Sequence, residues 1–231
     1  CQSGRSVVVT EDHGLVTLGA DGRLLEITPD QCVPGQTRLP VASIVADGVV
    51  EHQFIVERTD WESVGLLAGL YLAEGHIPPT YPGLLILAVE PEGRRQEILG
   101  LCGRFGVKPH RGVKNVKFTD HDITKWLTQQ FGSGSGSKFI PSWVYSAPRE
   151  FRTGLIRGYM AGDGCLWSDV NGCVQLCAVS TSVRLRDNLI ELLGTLDVFC
   201  TLWDAPRNYL KDEWNDAYGL RVCSADIPKL P

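Results

Sequence analysis

The sequence is short of methionine, of long apolar runs and of closely spaced cysteine pairs. Met160 is its single methionine, so we expect a chain that was cut from a longer protein or trimmed. No apolar run approaches ~20 residues, the length that crosses a bilayer, and no leader-like segment opens the chain. None of the eight cysteines forms a Cys-x-x-Cys pair, which argues against a zinc or redox site. We therefore expect reduced cysteines, no membrane span and a cytoplasmic location.

The sequence also lacks the positive net charge expected of a DNA-binding protein. Its 231 residues carry a formal net charge of −5. Residues 61–163 hold 12 basic and 9 acidic side chains, a net charge of +3, whereas residues 1–60 and 164–231 have net charges of −5 and −3. Because phosphate binding needs a local basic surface, the middle segment keeps DNA binding open, while the acidic final third argues against tight binding.

Two apolar segments each end in an acidic residue followed by glycine. They are Leu67-Ala-Gly-Leu-Tyr-Leu-Ala-Glu-Gly75 and Ile156-Arg-Gly-Tyr-Met-Ala-Gly-Asp-Gly164. Small residues recur in both, so two such helices can approach backbone to backbone and bring Glu74 and Asp163 to the same end of the pair. Gly75 and Gly164 would end the helices in a left-handed conformation. The alternative is an ordinary pair of buried helices, since glycine and leucine at this spacing commonly serve only packing.

These segments resemble the LAGLIDADG motif of homing endonucleases, with Glu74 and Asp163 at its acidic eighth position. The first copy has Glu where the motif name has Asp, and the second carries Arg157 and Tyr159 inside the run. The resemblance implies an α+β fold of two pseudo-symmetric αββαββα arms, packed through the two parallel-running motif helices. A small β-rich segment would precede the arms.

Local sequence patterns fit this order of elements within an endonuclease domain at 59–231, with arm one at 59–137 and arm two at 138–231. In arm one they predict a helix at 61–74 capped by Asp60, a strand at 84–89, a helix at 92–106 ended by Gly106, a strand or hairpin at 111–118, and a helix at 122–131. In arm two they predict a hairpin around Asn171-Gly172, a helix at 183–196 capped by Thr181 or Ser182, and strands at 199–203 and 218–223. The chain would end as the last helix of arm two begins.

Residues 1–58 form the β-rich segment in this interpretation. Ala20-Asp-Gly22 is typical of a hairpin turn between strands at 15–18 and 24–27. A further strand is predicted at 49–58.

The run Thr10-Glu-Asp-His13 resembles one block of inteins, so residues 1–58 would be part of a splicing, or Hint, domain. Thr10 and His13 would then help to activate the N-terminal peptide bond, with the imidazole donating a proton to the departing backbone nitrogen. The alternative is a surface histidine in a turn. Because the chain has no terminal His-Asn pair, we expect no splicing by it alone, and Cys1 would be a true intein start, a remnant or a boundary.

The segment Gly132-Ser-Gly-Ser-Gly-Ser137 is typical of a flexible linker. The block that follows, Lys138-Phe-Ile-Pro141, resembles the one that precedes the second motif helix in intein endonucleases. The resemblance makes Lys138 a catalytic cation near the attacking water or the scissile phosphate. Without it, a lone lysine after a linker would be taken for solvated surface. The arm-two counterpart of Lys138 would lie past Pro231.

Phosphodiester hydrolysis needs an activated water and a stabilised leaving oxygen, and two divalent metal ions close together can supply both. By the resemblance, Glu74 and Asp163 would be catalytic and would bind Mg²⁺, helped by the backbone carbonyls of Ala73 and Gly162. Magnesium prefers carboxylate oxygens, waters and phosphate oxygens, which such a site offers.

The family binds double-stranded DNA with a saddle of strands in the major groove, where side chains can contact base edges. By the resemblance, the candidate DNA-contacting residues are Arg111, Lys114 and Lys117 in arm one, with Lys108 and His110 nearby, and Gln175 and Arg221 in arm two. The alternative for the basic run is a solvated strand edge that its lysines keep from pairing.

The resemblance implies a site-specific DNA endonuclease from an intein, which cuts both strands of a long duplex with Mg²⁺ and acts as a monomer because both arms lie on one chain. Two alternatives stay open. One is a catalytically inactive DNA-binding relative, favoured by the acidic net charge and by the missing second lysine. The other is a protein-splicing fragment that needs the remaining splicing-domain piece as a partner.

Overall fold

A computed structural model describes residues 8–39, 57–89, 92–168, 172, 174–205, 216–222 and 224–230. The predictions that concern Cys1, most of the strand at 49–58, and Asn171 lie outside these residues. Within the described ranges, no helix combines the length and apolar content needed to cross a bilayer.

The first described elements form a hairpin. Strands β1 (Leu15–Leu18) and β2 (Leu24–Ile27) pair antiparallel, with Leu15 opposite Ile27. Between them Gly22 has a φ of +80°, a conformation that glycine adopts without steric cost. The hairpin predicted around Ala20-Asp-Gly22 is therefore confirmed.

Arm one follows the predicted order αββαββα. Its elements are α1 (Trp61–Glu74), β3 (Gly75–His76), β4 (Leu84–Ala88), α2 (Glu92–Arg104), β5 (His110–Arg111), β6 (Asn115–Thr119) and α3 (His121–Phe131). Helix α1 begins at Trp61 because the Asp60 carboxylate accepts a hydrogen bond of 2.7 Å from the Ser63 backbone N–H. Asp120 caps α3 in the same way. Two residues past α2, Gly106 has a φ of +68° and turns the chain out of the helix, as predicted.

Arm two repeats this order up to its last element. Its elements are α4 (Arg149–Asp163), β7 (Gly164–Ser168), β8 (Val174–Ser180), α5 (Val183–Gly194), β9 (Cys200–Ala205), β10 (Ala217–Val222) and a 3₁₀ helix at Ser224–Lys229. Its antiparallel sheet has the strand order β7-β8-β10-β9, and the sheet of arm one has the matching order β3-β4-β6-β5. The protein is therefore an α+β fold of two arms with like topology.

Helices α1 and α4 pack together through glycine. A Cβ at Gly65 would lie 2.9 Å from the carbonyl carbon of Phe151, and one at Gly69 would lie 2.7 Å from the backbone nitrogen of Tyr159. Since the residue numbers rise together along both helices, the helices run parallel, as predicted. Tyr159 is fully buried at this interface.

The closeness of these helices can be tested by adding one methyl group. A Cβ at Gly158 would overlap the Leu66 carbonyl oxygen and lie 2.8 Å from the Leu70 nitrogen. Because these are backbone atoms that cannot move aside, we expect Gly158→Ala to lower the free energy of unfolding by about 2–3 kcal/mol. Gly100 in α2 has open space around it, so Gly100→Ala should instead raise that free energy by about 0.5–1 kcal/mol. Urea denaturation measures both, and equal effects would contradict the close packing.

The conformation predicted for Gly75 and Gly164 is wrong. Their φ angles are −81° and −77°, in the extended region, because each helix passes directly into a strand. The lack of a side chain still matters, since a Cβ at Gly75 would lie 2.6 Å from the Cα of Tyr71. These glycines allow a tight change of direction rather than a left-handed turn.

Candidate active site

Glu74 and Asp163 are the last residues of α1 and α4, and these helix ends meet because the helices are parallel and closely packed. Gly162 lets the two helix ends approach closely, since a Cβ there would overlap Ala73 and lie 2.8 Å from the Cγ of Glu74. Both acids are half-buried. The structure thus brings together the four residues predicted to bind metal.

The pKa of Asp163 is raised to about 7, first by burial and then by the neighbouring charge of Glu74. A hydrogen bond from Tyr159 and the positive charge of Lys138 act in the opposite direction. Two carboxyl groups in such a place favour either a shared proton or a cation between them.

Lys138 lies in this site, but its hydrogen bonds go to the protein backbone. The side chain is 5% exposed. Its ammonium donates to the carbonyl oxygens of Tyr71 at 2.5 Å, Leu72 at 3.2 Å and Gly75 at 2.8 Å. Burial lowers the pKa of Lys138 to about 8, against the opposing effect of the Asp163 and Glu74 charges. Because all three N–H groups have acceptors, Lys138 clamps the C-terminal end of α1, where a cation also complements the helix dipole.

The segment predicted to be a linker forms a loop that hydrogen-bonds to α1 and contains a turn. Gly132 has a φ of +75°, and its carbonyl accepts the Tyr71 hydroxyl at 2.6 Å. Further along, the Ser137 N–H donates to Gly134 O at 3.0 Å, which closes a turn. The loop forms one wall of a cavity of about 290 Å³, which is also lined by Glu74 and Lys138.

The donors that the site offers to a divalent cation are oxygen atoms. Among the residues that the structure describes, no group of three or more His, Cys, Asp or Glu side chains gathers in a metal-binding arrangement. The available donors are the carboxylates of Glu74 and Asp163 and the nearby backbone carbonyls. An ion that keeps several waters and takes phosphate oxygens as further ligands fits such a set.

The basic residues of arm one do not share one face of the sheet. Val116 is buried on the side that packs on the helices, so its neighbour Lys117 points to the outer face. There Lys117 is paired across the strands with Ile86 on one side and His110 on the other. Arg111 is paired with Val116 and binds Glu92 at 2.9 Å, so it lies on the helix side. The structure therefore separates Arg111 from Lys117.

Lys114, the third candidate, lies exposed in the turn between β5 and β6. Its carbonyl accepts the Val89 N–H at 2.9 Å.

In arm two the predicted DNA contacts share the outer face. Leu220 and Ala178 are buried toward the helices and lie opposite each other. Arg221 and Gln175 therefore point to the other side, and Arg221 is exposed. The Gln175 Oε1 atom is buried without a hydrogen-bond partner among the described residues.

Thr10 and His13 lie in one exposed turn, in which the His13 N–H donates to Thr10 O at 3.1 Å. Cys1 lies outside the described residues. The splicing role of these residues stays a prediction.

No family model matches the chain. Among curated proteins, it is 25% identical to the DNA-directed RNA polymerase subunit Rpo1C of Methanocaldococcus jannaschii, over 86% of this chain and 26% of that protein. It is 26% identical to a DNA polymerase of Thermococcus hydrothermalis, over 89% of this chain and 13% of that protein. The chain thus spans about a quarter and about an eighth of these relatives' lengths.

Among solved structures, the chain is similar to I-DmoI in complex with DNA and Mn, with a TM-score of 0.48 and 10% identity, over 72% of this chain and 92% of that one. It is also similar to mesophilic variants of the homing endonuclease I-DmoI, with a TM-score of 0.48 and 12% identity, over 72% of this chain and 90% of that one.

Two residues of this site were not singled out from the sequence. Tyr159 was noted only as a departure from the motif, yet its hydroxyl proton is shared between Val179 O, at 3.1 Å, and the Asp163 carboxyl group. Its spacing of four residues from Asp163 places both on one face of α4, a signal that the sequence does contain. His76 lines the same cavity as Glu74, two residues along the chain.

Proposed function

We propose that this protein is a DNA endonuclease that hydrolyses phosphodiester bonds at specific sites in long double-stranded DNA. The observation that carries the proposal is the meeting of Glu74 and Asp163 at the joined ends of two parallel helices, with the Lys138 ammonium fixed beside them. At Asp163, burial and the neighbouring Glu74 disfavour the charged carboxylate, which is a common feature of functional sites.

Each residue of the site has a role in this proposal. The carboxylates of Glu74 and Asp163 would hold Mg²⁺, together with the carbonyls of Ala73 and Gly162. The bound ion would supply Lewis-acid stabilisation of the charge that develops on the phosphate. Tyr159 orients the Asp163 carboxylate through its hydrogen bond, and Lys138 keeps a positive charge beside the acids without leaving the backbone.

The two sheets would bind DNA through their outer faces. Lys117 in arm one and Arg221 in arm two both lie on these faces. Strands in a major groove can contact base edges and so provide sequence specificity. Since both arms belong to one chain, a monomer could contact both halves of a duplex site.

We further propose that the chain comes from an intein. Similar segments align within an RNA polymerase subunit and a DNA polymerase, two different proteins, and cover only part of each. A segment inserted into different host proteins accounts for this distribution. The remaining splicing-domain piece would then be a further partner.

A library of random duplex DNA tests the proposed activity. Incubation with Mg²⁺ should give double-strand breaks with the parent protein and none with the Glu74→Gln/Asp163→Asn double variant. Breaks made equally by both proteins would point to a contaminating nuclease and reject the site.

An inactive DNA-binding protein is the second candidate. The full use of the Lys138 donors by backbone carbonyls favours it, because Lys138 then has no N–H free for a phosphate. Selection of one DNA sequence from the library without any break would support this candidate over the endonuclease.

A further inference from the structure

The segment 138–140 opens arm two and contacts both arms. The Lys138 side chain lies on arm one, where it donates to the carbonyls at the end of α1. The backbone carbonyl of the same residue instead accepts a hydrogen bond of 3.0 Å from the Ser182 hydroxyl of arm two. One residue therefore contacts both halves of the molecule.

Ser182 has two partners for one hydroxyl group. It is 3% exposed, and its Oγ accepts the Leu185 N–H at 3.1 Å while donating to Lys138 O. The first bond caps α5, and the second goes to a residue 44 positions earlier in the chain. The Ser182 N–H itself donates to the Ser180 hydroxyl at 3.0 Å, which fixes the cap against β8.

Helix α5 also contacts the two residues after Lys138. The Asn188 Oδ1 atom accepts the Ile140 N–H at 3.1 Å. The Arg184 guanidinium lies 4.0 Å from the ring centroid of Phe139, within the range of a cation–π contact. Three consecutive residues of the segment are thus held by α5 and its N-cap.

We propose that the start of arm two holds the Lys138 ammonium in place on arm one, with Ser182 as the main positioning residue and Asn188 as its support. A lysine side chain has four rotatable bonds, so its ammonium stays at one place only if its backbone is fixed. When Ser182 holds Lys138 O, the ammonium remains on the α1 carbonyls, and the end of α1 that carries Glu74 keeps its place. The catalytic part of this inference rests on the proposed function.

Ser182→Ala tests the proposal by its effect on turnover. We expect kcat for DNA cleavage to fall about tenfold with little change in KM, the size of effect that follows from one lost hydrogen bond in a site. Ser182→Thr keeps the hydroxyl and should restore most of the activity. In a Lys138→Met background, Ser182→Ala should cause no further loss, because Ser182 acts through Lys138. A full additional tenfold loss in that background would overturn the proposal.

Asp120→Ala is the matched control, since the Asp120 side chain caps α3 and binds Arg58 rather than Lys138. It removes a helix cap of the same kind, so it should lower stability like Ser182→Ala but leave kcat within about twofold. If Asp120→Ala lowered kcat as much as Ser182→Ala, general destabilisation would explain both and the proposal would fail.

A second measurement does not depend on DNA cleavage. Lys138 can be labelled with an amine-reactive acetylating reagent, and the rate followed by mass spectrometry of its peptide. Because the parent lysine is buried and triply bonded, we expect slow labelling, and at least about fivefold faster labelling in Ser182→Ala and Asn188→Ala than in the parent or Asp120→Ala. Unchanged labelling would reject the positioning role even if the protein cuts DNA. Faster labelling in a protein that cuts no DNA would reject the proposed function and keep the contact between the arms.

Discussion

Asp163→Asn should strongly reduce DNA cleavage and at the same time stabilise the metal-free protein above pH 7. The pKa of Asp163 is raised to about 7 by burial and by Glu74, whereas in the unfolded chain it is near 3.8. At a pH between these two values, the folded protein therefore holds a proton that the unfolded chain has released. The contribution of Asp163 to stability is fully present below about pH 4 and is lost as the pH rises through about 7.

Asparagine keeps the shape of the acid and never ionises. At pH 8 we expect Asp163→Asn to raise the free energy of unfolding by about 1–3 kcal/mol, after allowing for the lost attraction to Lys138. At about pH 3 the difference should be close to zero, because Asp163 is then protonated in the folded and in the unfolded parent. Cleavage in Mg²⁺ should fall at least about 100-fold because one metal-binding carboxylate is gone.

Glu150→Gln is the control, since Glu150 lies exposed in the first turn of the same helix, α4. It should leave cleavage unchanged and cost little stability. Urea denaturation at the two pH values and a cleavage assay give the result. A loss of stability in Asp163→Asn at pH 8 would contradict the buried charge that the structure places there.

Lys138→Met should lower both stability and activity. Methionine fills a similar space, but it leaves the carbonyls of Tyr71, Leu72 and Gly75 without the donors they have in the parent protein. We expect the free energy of unfolding at pH 7 to fall by about 2–4 kcal/mol, and cleavage to fall at least about 100-fold as the end of α1 loosens.

The pH dependence of this loss has a defined sign. The folded pKa of Lys138 is lowered to about 8 from 10.5. The contribution of Lys138 to stability is present above its pKa in the unfolded chain and is lost as the pH falls through about 8. The deficit of Lys138→Met relative to the parent should therefore widen as the pH rises from about 8 to about 10. Lys125→Met, at an exposed position of α3, should show neither the loss nor its pH dependence.

Much of the fold could be predicted because it depends on local patterns. The hairpin at Ala20-Asp-Gly22, the Asp60 cap and the glycine face of the two motif helices all follow from side-chain size, turn preference and spacing. The order of the arms came from the resemblance as well as from these patterns. The meeting of Glu74 and Asp163 followed once the two helices were expected to be parallel.

The rest depends on partners that a sequence pattern does not specify. Lys138 binds backbone carbonyls, which every residue has, so nothing in its own block indicates where its hydrogen bonds go. Arg111 was grouped with Lys117 because both are basic, but the register of β5 on β6 places Arg111 opposite the buried Val116. Ser182 was predicted as one of two helix caps, and its second bond, to Lys138, became visible only in three dimensions.

The most direct test of the central claim is a strand-resolved map of cleavage by the parent, Glu74→Gln and Asp163→Asn proteins on DNA selected from the library. We expect the parent to cut each strand at one fixed position in Mg²⁺, and each single variant to lose cleavage of both strands because the two acids form one site. Cuts at scattered positions, or parental cleavage by either variant, would contradict this claim.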